Sequence, residues 1–117
     1  MSSTTETTHV DLNQAILTSR AERPNPTGKV TTALVSFAAL RVVLVTMCGG
    51  SLWEQHQTSG RITVQVLAGH IRINAEGAIH DLPTGHLLAL ESNIPHDVEA
   101  VVDSTFLLTV ARQPSAE

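Results

Sequence analysis

The sequence predicts a single all-β domain, a sandwich or barrel, with one short helix near its N-terminus. Three observations carry this. After Gly28 short apolar runs alternate with Gly, Pro, Asn and Asp at regular spacing. One of those runs, Arg61 to Leu67, alternates strictly, with Ile62, Val64 and Val66 on one side and Thr63 and Gln65 on the other. Beyond residue 28 there is no helical period, no βαβ alternation and no solenoid-type repeat. The expected division is a tail, helix and loop over 1–27, the barrel over 28–112, and a C-terminal tail over 113–117. At 117 residues the chain suits one domain, and a chain of that size buries about two thirds of its unfolded surface.

The elements follow in order. Residues 1 to 9 are polar and rich in Ser and Thr, and are expected to be loose. Asp11 caps a helix over "LNQAILTSRA", with Leu12, Ala15 and Ile16 on one face. "ERPNPTG" ends it, because two prolines, an asparagine and a glycine make a loop. "KVTTALVSF" and "LRVVLVTM" are the leading strands, and "GG" at 49–50 breaks the chain. "RITVQVL" comes next, then "HIRI", which puts Ile71 and Ile73 on the apolar side and His70 and Arg72 on the wet side. "NAEG" turns the chain, and "AIHDL", "HLLAL", "HDVEAVV" and "TFLLTVA" complete about seven short strands. The tail "RQPSAE" is expected to fray.

Composition excludes several functions. The net charge is −4 with no basic run, so a nucleic-acid backbone is not the partner. Aromatics are 3% of the chain, Phe37, Trp53 and Phe106, too few for base-stacking platforms. Cys48 is alone, so no intrachain disulfide forms, and it is expected to be a small buried hydrophobe. "MSSTTETTHV" lacks the charged-then-apolar build of a signal peptide, and the longest apolar run, Val42 to Cys48, is too short to span a bilayer. The expectation is a cytoplasmic protein with no membrane partner. No phosphate loop, dinucleotide fingerprint or nucleophile elbow is present.

From Gly50 to about Ala100 the chain resembles the cupin superfamily, small jelly-roll barrels built as a double-stranded β-helix, and in particular the small bacterial single-domain, RmlC-like members. The family's first motif is a glycine, five residues, His-x-His, three or four residues, a glutamate, six residues and a glycine. Here Gly50, His56 and Gly69 hold their places, while Thr58 stands at the second histidine and Ile62 at the glutamate. The second motif is a glycine, five residues, Pro-x-Gly, two residues, a histidine, three residues and an asparagine. Gly85 and His96 match it, with Glu91 for the proline, Asn93 for the glycine and Ala100 for the asparagine. Asn93 is a sound replacement because asparagine tolerates positive φ.

The resemblance implies an all-β jelly-roll barrel with an inner wall of Ile62, Val64, Val66, Leu88, Leu90, Val98, Phe106 and Leu108. It implies a homodimer, in which the strand "KVTTALVSF" exchanges with a partner's sheet. It also implies a metal site of three histidines and a glutamate, of which His56 and His96 survive as ligands. One divalent transition metal (Fe, Mn, Ni, Cu or Zn) would suit such donors. The pocket would be lined by Trp53, Glu54, Thr58, Ile62 and Val64, with Trp53 either closing the mouth over a ligand or serving as a hydrophobic plug or dimer contact. Glu54, two residues before His56, shares its side of a regular strand and would complete a two-histidine, one-carboxylate triad; an exposed glutamate is the alternative. His70, His80 and His86 are expected on solvated faces. Two functions stay open at this point: a metal-assisted enzyme acting on a small organic molecule, and a non-catalytic module that binds or senses a small molecule without metal.

Overall fold

The computed structural model describes residues 7–112; the expected loose segment over 1–6 and the tail over 113–117 lie outside the described residues. Helix α1 spans Leu12–Ala21. Asp11 caps it: its side chain accepts the Gln14 N–H at 3.2 Å, satisfying one of the free donors of the first turn. Leu12, Ala15 and Ile16 are half-buried and Ser19 is buried, so one face of the helix meets the protein.

Nine strands follow: β1 (Lys29–Ser36), β2 (Leu40–Met47), β3 (Leu52–His56), β4 (Arg61–Ala68), β5 (His70–Ala75), β6 (Ala78–Pro83), β7 (Leu87–Leu90), β8 (His96–Ala100) and β9 (Ser104–Ala111). They form a five-stranded antiparallel sheet, β1-β2-β9-β4-β7, and a four-stranded one, β3-β8-β5-β6. The all-β jelly-roll expectation therefore holds. The strand that sequence reasoning left out of the series is β3, and the reason is local. Its burial runs exposed, half-buried, exposed, exposed, half-buried, so no period of two marks it.

The core lies between the sheets. Ile62, Val64 and Val66 of β4 meet Ile71, Ile73 and Ala75 of β5, Val98 and Ala100 of β8, and Phe106 of β9. Each fully buried Val, Leu, Ile or Phe stabilises the fold by roughly 1.5–3 kcal/mol relative to exposure. The predicted wall is realised: Leu90 is buried with these residues, and Leu88 and Leu108 pack against them. A second, smaller apolar layer lies outside the barrel. There α1 packs on β1 and β2, where Val30 and Leu44 are buried. At its edge the hydroxyls of Ser19, Thr46 and Thr105 satisfy one another, at 2.8 and 3.3 Å. They floor a cleft of about 390 Å³ that also reaches Cys48 and Asp103.

Two turns show why particular residues occupy them. Ala75 pairs with Ala78 across a two-residue turn, and Glu76 and Gly77 both have positive φ, 54° and 76°, as a type I′ hairpin requires. Gly69 has φ +98°, and a Cβ there would strike Ser104 Oγ and the Asp103 carbonyl. Only glycine fits between β4 and β5 at that point. One sequence expectation fails here: Cys48 is exposed, not buried. It lies one residue past the end of β2, and its N–H donates to the Gly28 carbonyl at 2.9 Å, which holds it at the sheet's rim and not within it. Among the described residues no helix is long and apolar enough to cross a membrane.

Candidate functional site

The two surviving motif histidines meet. His56 ends β3, His96 begins β8, and the two stand directly opposite in the antiparallel ladder. Their rings touch edge to face, with centroids 4.3 Å apart at 61°. His96 is buried, at 4% exposure, in the inward row that continues through Val98 and Ala100. His56 is half-buried.

Each ring is fixed in the same way. His56 Nδ1 lies 2.8 Å from the Glu54 carbonyl, and His96 Nδ1 lies 2.9 Å from the Ile94 carbonyl. A carbonyl only accepts, so Nδ1 carries the proton in both rings. In the neutral rings the two Nε2 atoms are then bare acceptors. His56 titrates below its ordinary value. Burial is the main cause, and the neighbouring His96 and Lys29 charges add to it, while the Glu54 carbonyl and Asp97 oppose it.

The column extends beyond the histidines. The Trp53 indole stacks on His56, centroids 4.7 Å apart and 20° from parallel. The Lys29 ammonium sits 4.5 Å from the Trp53 ring centre, a cation–π contact. Lys29 opens β1, Trp53 and His56 belong to β3, and His96 to β8, so the column bridges the two sheets. Thr31 and Ala33 of β1 pair with Val45 and Val43 of β2, so they point to the same interior side. Val45 is fully buried, whereas Thr31 and Ala33 are exposed. The inner face of the edge strand β1 therefore meets solvent.

Trp53 and His56 share a face because β3 is irregular. Glu54 and Gln55 stand opposite the single residue Asp97, which is a β-bulge. The extra residue breaks the parity that would have placed Glu54 beside His56. Glu54 is exposed and meets His56 only through its carbonyl. The expected triad is not assembled: no three His, Cys, Asp or Glu side chains among the described residues are grouped to hold a metal ion. Thr58 is half-buried, but its hydroxyl accepts the Gly60 N–H at 3.3 Å. Its carbonyl accepts the Asn93 N–H at 2.8 Å, which clasps the two motif turns together. Asn93 has φ 63°, the left-handed conformation the motif's glycine would supply. Ile62 and Val64 are buried in the core and give the interior an apolar wall.

A resident divalent metal does not fit this donor set. A stable site uses three or four protein ligands, and here two imidazoles are followed by a hydroxyl turned to backbone and a buried hydrocarbon. The Lys29 charge at the end of the column further opposes a cation. Of the other histidines, His80 and His86 are exposed as expected. His70 pairs with Asp81 at 3.0 Å, and Arg72 reaches the same carboxylate at 2.9 Å, holding it below the usual carboxylate range. Sequence reasoning missed Lys29. A lone lysine at a strand start carries no signal, since its neighbour in space lies over twenty positions away in the chain.

No family model and no curated protein matches the chain. Solved structures do. A conserved protein of unknown function from Streptococcus pyogenes superposes with a TM-score of 0.76 at 21% identity, over 98% of both chains. An RmlC-like cupin from Desulfovibrio desulfuricans gives 0.69 at 26% identity, over 78% of this chain and 89% of its own. Salicylate 1,2-dioxygenase from Pseudoaminobacter salicylatoxidans gives 0.70 at 16% identity, over 86% of this chain but 30% of its own.

Proposed function

The fold is that of the cupins, and we propose that in this chain it binds a small molecule without a resident metal, as a binding or sensing barrel and not a metalloenzyme. The observation that carries this is the His56–His96 contact, with both Nδ1 atoms spent on backbone carbonyls and both Nε2 atoms left as acceptors. Two oriented acceptors over an apolar interior suit a ligand that donates hydrogen bonds. The missing third and fourth ligands oppose the metal-assisted alternative, in which the dioxygenase-type neighbours would be the guide.

Metal content of protein purified without a histidine tag tests the reading. The expected result is a folded protein with far less than one equivalent of Fe, Mn, Ni, Cu or Zn. Near-stoichiometric metal that disappears in His56→Ala and His96→Ala overturns it. The same proposal keeps a homodimer. Strand β1 is the edge of the five-stranded sheet, and a free edge pairs readily with another copy. Light scattering behind a sizing column reads the mass directly, and a monomer at micromolar concentration removes that part.

A further inference from the structure

We propose that a second copy of this chain docks on the outer face of the five-stranded sheet, at Leu87 and the depression beside it. This rests on the homodimer proposed above and names the face that holds it, distinct from the β1 edge.

The two outer faces of the barrel differ in charge. On each strand the buried row fixes which side chains point outward. On the four-stranded sheet Asp97 and Glu99 of β8 alternate with the buried His96, Val98 and Ala100, and Arg72 of β5 lies between the buried Ile71 and Ile73. Asp81 of β6 stands across from Arg72. Three carboxylates against one guanidinium leave that face acidic, so two copies repel each other there. On the five-stranded sheet the outward rungs run Val42, Thr109, Thr63, Ala89 and Leu44, Leu107, Gln65, Leu87. Neither rung carries a charge. A charged partner finds nothing on these rungs to pair with, whereas a copy of the same face buries against it and strands no charge. Helix α1 packs on β1 and β2 and leaves the β7 edge uncovered: Leu87 is 64% exposed. Beside it lies a depression of about 280 Å³ lined by the small side chains of Thr63, Ala89, Thr109 and Ala111, with the Arg61–Glu91 ion pair at its rim. A two-fold axis would set the protruding Leu87 of each copy against the depression of the other, the same patch serving on both sides. Apolar surface of this kind gains by leaving water.

Sedimentation velocity of the full chain over a range of micromolar concentrations reads the dimer. Leu87→Glu, which puts a carboxylate into the contact, and Ala89→Arg, which fills the depression, are each expected to weaken it by about tenfold or more. Ile79→Glu is the control: Ile79 is 68% exposed on β6, in the other sheet, and its replacement is expected to leave the dimer unchanged. Circular dichroism establishes that the variants fold, and all three positions are exposed. A dimer that either Leu87→Glu or Ala89→Arg leaves unmoved overturns this face and returns the homodimer to the β1 edge. A dimer lost in Ile79→Glu overturns it as well. A wild-type monomer overturns the homodimer reading itself, and this face with it.

Discussion

Strands β3 and β4 are neighbours in sequence and frame the same motif, yet they do opposite work. β4 alternates from Arg61 through Val66. Ile62, Val64 and Val66 are all buried, its pairing with β7 keeps register throughout, and its one shift, against β9 between Val66 and Ala68, falls past that buried run. β3 carries a bulge that puts Trp53 and His56, three residues apart, on one face. The regular strand supplies packing, because a period of two lets every apolar side chain enter the core. The irregular strand supplies the site, because the extra residue re-aims a side chain that regular pairing would have turned outward. The difference teaches that in this barrel the stability lies where the pattern is kept and the chemistry lies where it is broken.

The largest test of that contrast is on the regular side. Ile62→Ala is expected to lower the unfolding free energy by about 2–5 kcal/mol, read from urea denaturation. A loss below about 1 kcal/mol would mean that β4 is not the packing wall. On the irregular side Trp53→Ala is expected to cost less, about 2 kcal/mol, because the ring is half-buried and gains from stacking. A cost equal to that of Ile62→Ala would erase the contrast between the strands.

The pH dependence sharpens it further. His56 titrates below its ordinary value of 6.5 in the folded protein. The unfolded chain therefore binds a proton that the folded chain refuses. The contribution to stability is complete above the unfolded value and is lost as pH falls through the folded one. Stability measured at about pH 7.5 and about pH 5.5 should fall more in the wild type than in His56→Gln. An NMR titration midpoint for the His56 ring at or above 6.5 contradicts this. The smallest effect is at Glu54. Its side chain is exposed and only its carbonyl is used, so Glu54→Ala should stay within about 0.5 kcal/mol of wild type. It should also leave the His56 ring signals in place, and a displaced ring would restore a role for the carboxylate.

Much of the barrel was legible in the residues. Asp11 announced the helix, and its side chain does cap it. Arg61 to Leu67 announced β4, and "NAEG" announced the hairpin turn that Glu76 and Gly77 make. Asn93 stood where a positive φ was needed, and has it. Spacing also picked out His56 and His96, which pair as cross-strand neighbours. What was not legible came from two sources. Parity arguments assume a strand without bulges, and they put Glu54 on the wrong side of β3. Burial arguments take Cys as apolar, and Cys48 lies past the last rung of β2, where the sheet no longer covers it.

Periodicity and turn chemistry are local properties, written within a few residues, and they settled the all-β class, while the resemblance to the cupin motifs supplied the inner wall and the two ligand positions held by Thr58 and Ile62. The column from Lys29 through Trp53 and His56 to His96 is not local. It joins three strands from two sheets, and it exists because one extra residue in β3 rotates the chain once the sheets have paired. Pairing and register are set by the packing of the whole barrel, so the partners of each imidazole were decided only when the sheets closed on one another.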